Sequence, residues 1–96
     1  MLEKFRRKAL MKIEKEFVLR EIAGDYIIVP IGTTALELNG MITVNETGAF
    51  LWRKLCEETT KEELVCALQG EYEVTEEEAN EDVEEFLETL YINHIL

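Results

Sequence analysis

Cys56, Cys66 and His94 are the side chains of this 96-residue chain that could act as nucleophiles or bind a transition metal. The two cysteines lie ten positions apart, and the sequence contains no Cys-x-x-Cys pair. Because a structural zinc site generally needs four ligands, often in two closely spaced pairs, this spacing does not indicate a metal site. Both cysteines lie beside leucines in helical patterns, so we expect them to be small buried side chains. His94 is expected at a helix end or on the surface.

Carboxylates are the other abundant reactive groups, and a pair of them could supply a general acid and a general base. The chain has 21 Asp and Glu residues against 10 Lys and Arg, which gives a net charge of -11. The acidic residues follow the period of a solvent-facing helix side, with no His, Cys or Ser constellation beside them. A domain of this length also has little room to enclose a substrate and build a catalytic site. We therefore expect no enzyme activity and no bound cofactor.

The charge is unevenly distributed along the chain. Residues 1–20 contain seven of the ten Lys and Arg residues and three Glu, so the remaining residues have a net charge of -15. Such a surface repels nucleic acid, whose binding normally needs a contiguous basic face. The basic N-terminal segment leaves open a weak contact with an anionic partner, although a solvated arm over residues 1–16 is the simpler interpretation.

No stretch of the sequence has the features of a signal peptide or of a membrane span. The chain does not open with a charged region, an apolar region and a cleavage site, and no apolar run approaches the roughly twenty residues that cross a bilayer. Free cysteines suit a reducing compartment. We therefore expect a cytoplasmic protein that does not insert into a membrane.

The elements that position these residues begin with two predicted strands. Two runs rich in β-branched residues, 17–22 and 25–32, flank Ala23-Gly24-Asp25, a three-residue connection typical of a hairpin turn. Pro30 is expected at a strand end or edge, because it has no N–H to donate. Residues 1–15 have the apolar spacing of a short helix, without a capping residue.

A second hairpin is predicted over residues 35–44, which read ALELNGMITV. Asn39-Gly40 lies between two extended runs in this stretch, and this dipeptide readily adopts the positive φ angles of a type I′ turn. The β-branched run Ile42-Thr43-Val44 then passes directly into a helical pattern at Asn45, which can cap a helix. A short, tight turn is therefore expected between the last strand and the first helix.

Three helical patterns fill the rest of the chain. The first is expected from Asn45 or Glu46 to about Glu57, with Gly48 marking a close backbone approach. The second and third begin at Thr60 and Thr75, each with a Glu three positions later, which is the spacing of a capping box. Each pattern has an apolar stripe that we expect to be buried: Ala49, Trp52, Leu55 and Cys56 in the first, Leu64, Val65 and Leu68 in the second, and Ala79, Val83, Phe86, Leu87 and Leu90 in the third.

Strands followed by three helices predict an α+β domain. Two blocks of the sequence, ITVNETGAFLW and TTKEELVCALQGEYEVTEEEANEDVEEFLETL, resemble the PqqD family, whose members have an LNxTGAxxW-like junction and then a TxEEL…Y.V…DVxxFLxxL pattern. The resemblance spans residues 17–96 and leaves residues 1–16 as a basic N-terminal arm. Val44 stands where leucine is common in the family. The resemblance implies a winged-helix-like fold with N-terminal antiparallel β-strands followed by three α-helices.

What the resemblance implies for function is a RiPP recognition element, a non-catalytic peptide chaperone that binds the leader segment of a ribosomally synthesised precursor peptide. In such systems the domain presents the precursor to a modifying enzyme, often a radical SAM protein, during the biosynthesis of a natural product or a PQQ-like cofactor. The family's leader peptide adds a strand to the sheet edge, in a cleft between the last strand and the third helix. The expected partners are therefore a precursor peptide and a modifying enzyme.

The residues themselves support strand addition, because a free sheet edge offers unpaired N–H and C=O groups to an extended peptide. The alternative is that most apolar residues near it are simply core, and that the acidic side of the third helix is only solvated. If the acidic side of the third helix contacts the leader, it should favour basic residues in the leader. The predicted peptide-binding residues lie on the last strands and the third helix: Leu36, Leu38, Met41, Ile42, Thr43, Val83, Phe86 and Leu87.

Two further interpretations suit the same fold. A winged-helix transcription regulator would also have three helices and β-hairpins, but its recognition surface would need basic residues, which the second and third helices lack apart from Lys61. An open edge strand can also pair with a second copy of the chain, so a homodimer is a further expectation.

Overall fold

Residues 10–38 and 40–96 are described by a computed structural model of the protein. Antiparallel strands followed by three helices, the predicted α+β class, are confirmed, and a short extra helix lies inside the strand region. The helix predicted within residues 1–15 falls partly outside the described residues, and residues 10–15 contain none. The elements in chain order are β1 (Phe17–Ile22), β2 (Asp25–Pro30), α1 (Gly32–Glu37), β3 (Ile42–Val44), α2 (Glu46–Leu55), α3 (Lys61–Glu71) and α4 (Glu76–Ile92).

Within residues 10–38 and 40–96, the strands form one antiparallel sheet in the order β1-β2-β3. Ile22 pairs with Asp25, so the turn between β1 and β2 has two residues, Ala23 and Gly24, rather than the predicted three. Their φ angles, 53° and 87°, are both positive, as a type I′ turn requires. Pro30 ends β2, as predicted.

Residues 32–37 form α1, so the prediction of a second hairpin over residues 35–44 is wrong. Its turn residue Asn39 lies outside the described residues, and β3 pairs with β2 instead. Leu36 and Leu38, which were predicted on a strand, lie in α1 and at its C-cap. Only the second half of the predicted hairpin is therefore a strand.

The first turn of α1 is held by Glu16, which comes from the segment before β1. The Glu16 side chain accepts hydrogen bonds from the backbone N–H and from the hydroxyl of Thr33, both at 3.0 Å. The backbone N–H of Glu16 donates to the Thr34 hydroxyl at 2.9 Å. These contacts join residues far apart in the sequence, so the local pattern of residues 35–44 could not reveal them.

The helices pack against one face of the sheet around Trp52, which is 2% exposed. The ring of Phe17 on β1 meets the Trp52 ring edge to face, with ring centroids 5.6 Å apart. The predicted apolar stripes are confirmed except at Cys56. The buried residues of these stripes are Ala49, Trp52, Leu55, Leu64, Val65, Leu68, Ala79, Val83, Phe86, Leu87 and Leu90.

Both cysteines are exposed free thiols, so the prediction that they are buried is wrong. Cys66 lies on the side of α3 opposite to Leu64, because residues two apart in a helix point in roughly opposite directions. Cys56 follows the last residue of α2 and forms its C-cap. Partial burial and the neighbouring Glu57 carboxylate raise the pKa of the Cys56 thiol, so little of it is the reactive thiolate.

Hydrogen-bonded caps fix where the three long helices begin, as the sequence predicted. The Asn45 side chain accepts a hydrogen bond from the Gly48 N–H at 2.8 Å. Thr60 and Thr75 each form a complete capping box with the Glu three positions later. Because a cap satisfies N–H groups that the helix leaves unbonded, β3 can end at Val44 and α2 can begin with one residue between them.

Gly48 is expected to tolerate no larger residue, whereas Gly70 in α3 should. A Cβ atom at Gly48 would lie 3.0 Å from the Val44 Cβ and 3.3 Å from the Phe86 ring, but one at Gly70 would meet open space. Gly48→Ala should lower the free energy of unfolding by about 1–3 kcal/mol, the usual cost of overpacking. Gly70→Ala should raise it by up to about 1 kcal/mol, because alanine favours the helix. Urea denaturation measures both changes, and effects of the same sign would contradict the close approach at Gly48.

Candidate functional site

The pairing of β2 with β1 determines which backbone groups of β2 face β3. In an antiparallel pair, residues alternate between those that exchange hydrogen bonds with the partner strand and those that face away from it. The two-residue turn places Ile22 and Asp25 in a hydrogen-bonded pair. Just after the other end of β2, the Ile31 N–H donates to the Glu16 C=O at 3.0 Å. Ile31, like Asp25, is an odd-numbered residue, so both ends of β2 show the same alternation. Odd-numbered residues of β2 therefore bond to β1, and even-numbered residues face β3.

The same alternation assigns the two sides of β3. Val44 pairs with Tyr26 and Ile42 with Ile28, so Ile42 and Val44 form the hydrogen bonds to β2. The N–H and C=O groups of Thr43 then point away from the sheet, along an edge that no strand of the described residues occupies. Unpaired backbone groups on an open edge can bond to one more strand.

A furrow runs beside this edge, between β3 and α4, and it contains two hollows. The first hollow has a volume of about 330 Å³. The β3–α2 junction forms one wall and one side of α4 forms the other. The lining residues are Thr43, Val44, Asn45, Thr47, Gly48 and Leu51 from the junction, and Asp82, Glu85, Phe86 and Thr89 from α4.

The second hollow has a volume of about 220 Å³, and seven of the ten residues that line it have apolar side chains. On the β3 wall, Ile42 lines the second hollow and the next residue, Thr43, lines the first. On the α4 wall, Thr89 lines the first hollow and Ile92, about one helical turn later, lines the second. The two hollows therefore follow one another along β3 and α4, without sharing a lining residue. The residues that line the second hollow are Phe17, Ile28, Leu38, Gly40, Met41, Ile42, Ile92, Asn93, His94 and Ile95.

The C-terminal turn of α4 forms one wall of the second hollow. His94 has a left-handed φ of 61°, and the Ile95 N–H donates to the Leu90 C=O at 2.8 Å. The His94 N–H donates to the Tyr91 C=O at 3.0 Å, which completes a Schellman motif. The motif returns Ile95 to the core, and the Lys15 side chain donates to the His94 C=O at 2.6 Å. This end of the furrow is therefore held by several hydrogen bonds.

The α4 wall of the furrow is acidic. Asp82 and Glu85 line the first hollow, and three more glutamates, Glu81, Glu84 and Glu88, lie on the adjoining exposed surface of α4. Of these, Glu84 also forms an ion pair with Lys61 at the start of α3. The hydrogen bond from Lys61 and its positive charge lower the pKa of Glu84. No Lys or Arg of the described residues lines either hollow, so the wall presents uncompensated negative charge to the furrow.

The furrow brings together five of the eight site residues that the sequence suggested. Thr43 and Phe86 line the first hollow, whereas Leu38, Met41 and Ile42 line the second. These residues come from the segment before β3, from β3 and from α4. Their role in peptide binding stays a prediction.

The other three suggested residues lie outside both hollows. Val83 and Leu87 lie on the buried side of α4, where they belong to the hydrophobic core. Leu36 is 85% exposed on α1 and lines neither hollow. Their participation in peptide binding is likewise a prediction.

Sequence reasoning did not single out Asp82, Glu85 or Thr89 as residues of the site. Asp82 lies four positions before Phe86 and Thr89 three positions after it, so these residues share one helix side with Phe86. That spacing was a usable signal, because Phe86 was already a candidate. The acidic residues of this helix were instead considered together, as a side that is either only solvated or favours basic positions in the leader.

The chemistry of the furrow is that of backbone groups, hydroxyls, carboxylates and apolar side chains. Across residues 10–38 and 40–96, no three His, Cys, Asp or Glu side chains are grouped so that they could hold a metal ion. Over the same residues, no helix is long and apolar enough to cross a membrane.

Comparison with known families agrees with this architecture. The family model described as coenzyme PQQ synthesis protein D (PqqD) matches residues 10–96. The chain belongs to the PqqD family. The resemblance seen in the junction and helix motifs is thereby confirmed, and the match includes the segment from Leu10 to Glu16.

A solved structure described as TbiB1 in complex with the TbiA(beta) leader peptide is similar to this PqqD-family chain. The TM-score is 0.69 and the sequences are 26% identical, with 90% of this chain and 94% of that chain covered. No curated protein compared with the chain matches it.

The hydrogen-bond pattern predicts how the amides of β3 exchange with solvent in the free protein. The Thr43 amide points away from β2, so it should exchange much faster than the amides of Ile42 and Val44. Amide hydrogen exchange followed by NMR measures all three rates in one experiment. A protected Thr43 amide beside a fast Ile42 amide would reverse the assignment of the two sides of β3.

Proposed function

We propose that this PqqD-family protein binds the leader segment of a ribosomally synthesised precursor peptide and presents the precursor to a modifying enzyme. The leader adds to β3 as an additional strand, and the protein itself performs no chemistry. The observation that supports this most strongly is the outward-facing backbone of Thr43, which lies beside an open furrow. The similarity to TbiB1, whose structure contains a leader peptide, supports the same function.

The leader backbone would bond to the N–H and C=O of Thr43, and its side chains would alternate between the furrow and solvent. Each backbone hydrogen bond contributes only about 1 kcal/mol net. A leader that binds with a dissociation constant of about 1 μM needs about -8 kcal/mol. Most of the affinity must therefore come from leader side chains that bury apolar surface in the two hollows.

The modifying enzyme is proposed to be a radical SAM protein that acts during the biosynthesis of a natural product or a PQQ-like cofactor. We place this system in the cytoplasm, because the exposed free thiols Cys56 and Cys66 suit a reducing compartment. A homodimer through the free edge of β3 would use the same backbone groups as the leader. Leader binding should therefore compete with any such dimer.

The transcription-regulator interpretation gains no support from the surface of the helices. Lys61 is the single basic residue of α3 and α4, and it is paired with Glu84. A recognition helix needs basic residues to contact phosphates. The acidic α4 is unsuited to that role.

Calorimetric titration with a synthetic leader peptide, taken from the precursor gene nearest to the gene of this protein, tests the proposal. We expect a dissociation constant of about 1 μM or lower. Thr43→Pro removes the outward N–H and should weaken binding about tenfold or more, because one hydrogen bond contributes roughly 1–1.5 kcal/mol and the proline ring obstructs the approaching strand.

Glu21→Pro is the matched control for Thr43→Pro. Glu21 pairs with Tyr26, so its N–H points outward on the opposite edge of the sheet. This variant should leave leader binding unchanged, and circular dichroism checks that both variants are folded. Equal weakening in both variants would contradict strand addition at β3, and no binding of any neighbouring leader would contradict peptide binding itself.

A further inference from the structure

The two hollows of the furrow differ in chemistry. On the α4 wall, the first hollow has the carboxylates of Asp82 and Glu85, and the facing wall adds the hydroxyls of Thr43 and Thr47. The second hollow is lined mostly by aliphatic and aromatic side chains. A peptide that lies along the furrow would therefore meet an acidic end and an apolar end.

Further carboxylates surround the acidic end of the furrow. Glu81 and Glu88 lie beside Glu85 on the adjoining surface of α4. Lys61, the one cation of α3 and α4, is paired with Glu84 of the same surface, so the other three glutamates have no cation of these helices beside them. Several like charges along one wall raise the local concentration of cationic groups and repel anionic ones. A leader with an acidic residue at this end would be disfavoured, and one with a basic residue favoured.

The apolar end exposes side chains that a ligand could cover. Met41 is 66% exposed and Ile92 is 67% exposed, one on each wall of the second hollow. Covering such side chains with a large apolar residue of the leader removes apolar surface of both molecules from water. This burial would supply more of the affinity than the acidic end, because exposed carboxylates contribute little to binding.

We propose that the furrow selects leaders with a Lys or Arg over the first hollow and a large apolar side chain in the second hollow. This inference rests on the proposed function and names the class of leader that the site accepts. Both side chains must project from the strand face that looks toward α4, so they are separated by an even number of positions. Thr43 and Met41 line the two hollows and lie two positions apart, so a spacing of two or four suits the leader.

Selection of random twelve-residue peptides by display on the full-length protein tests this pattern. The peptides enriched on the unmodified protein should contain Lys or Arg two or four positions from a large apolar residue. Asp82→Asn combined with Glu85→Gln keeps the size of both side chains and should abolish the enrichment of the basic residue. Glu57→Gln combined with Glu58→Gln removes the same charge beyond the far end of α2 and should leave the enrichment unchanged.

An enriched peptide, synthesised with a fluorophore, then gives the size of the effect by anisotropy. The Asp82→Asn and Glu85→Gln variant should bind it about fivefold more weakly at low salt, since each exposed ion pair contributes only modestly to binding. Replacing the basic residue of the peptide by Ser should give a similar loss on the unmodified protein and little loss on the variant. The loss should shrink at about 0.5 M salt, where exposed charges are screened.

The amide of Thr43 separates failure of this inference from failure of the proposed function. Peptides that protect the Thr43 amide from exchange but show no basic enrichment would overturn the charge selection and leave strand addition intact. Peptides that bind without protecting Thr43, or no enrichment of any peptide together with no binding of the neighbouring leader, would overturn both.

Discussion

The hydrogen bond from the Gly48 N–H to the Asn45 side chain is the interaction on which the geometry of the site depends. β3 has three residues and pairs with one strand, so its own ladder cannot fix its position firmly. The Asn45 cap determines where the strand stops and α2 begins. Gly48 lies in close contact with both Val44 and Phe86, so β3, α2 and α4 meet at this point. One wall of the furrow is thereby held at a constant distance from the other.

The opposite end of the furrow is held by a different set of contacts. There the Schellman motif at the end of α4 returns Ile95 to the core beside Leu90, and Lys15 donates to the carbonyl of His94. With both ends fixed, the protein needs little rearrangement to receive a strand, and most of the ordering cost falls on the peptide. A short strand with one free side is therefore suited to binding, because the rigidity it lacks is supplied by the helices beside it.

Local patterns were sufficient to predict most of the fold. The caps at Asn45, Thr60 and Thr75 and the core position of Trp52 followed from spacing that acts over one or two helical turns. The hairpin predicted around Asn39-Gly40 failed because α1 is held by Glu16, a residue whose contact with Thr33 depends on the tertiary fold. The cysteines were misplaced for a related reason, since a leucine neighbour in sequence does not lie on the same side of a helix.

Residues of the site could be predicted only if the sequence already assigned them to the segment of the last strand or to the apolar stripe of α4. Thr43 and Phe86 belonged to those groups, but their distance from each other depends on how α4 crosses the sheet edge, and that crossing is a tertiary property. Asp82 and Glu85 are acidic and exposed, as are the solvated glutamates around them. They line the furrow only because the tertiary fold places β3 opposite them, and the sequence does not show this arrangement.

A hydrogen-bond scalar coupling, measured by NMR between the amide nitrogen of Thr43 and a carbonyl carbon of an isotope-labelled leader peptide, tests strand addition at β3 most directly. The coupling passes through a hydrogen bond, so it identifies donor and acceptor without relying on a change in shape. We expect it between Thr43 and one leader carbonyl, with Ile42 and Val44 coupled to residues of β2. A bound leader that shows no coupling to Thr43, and whose contacts lie on β1 or on the far side of α4, would contradict the account.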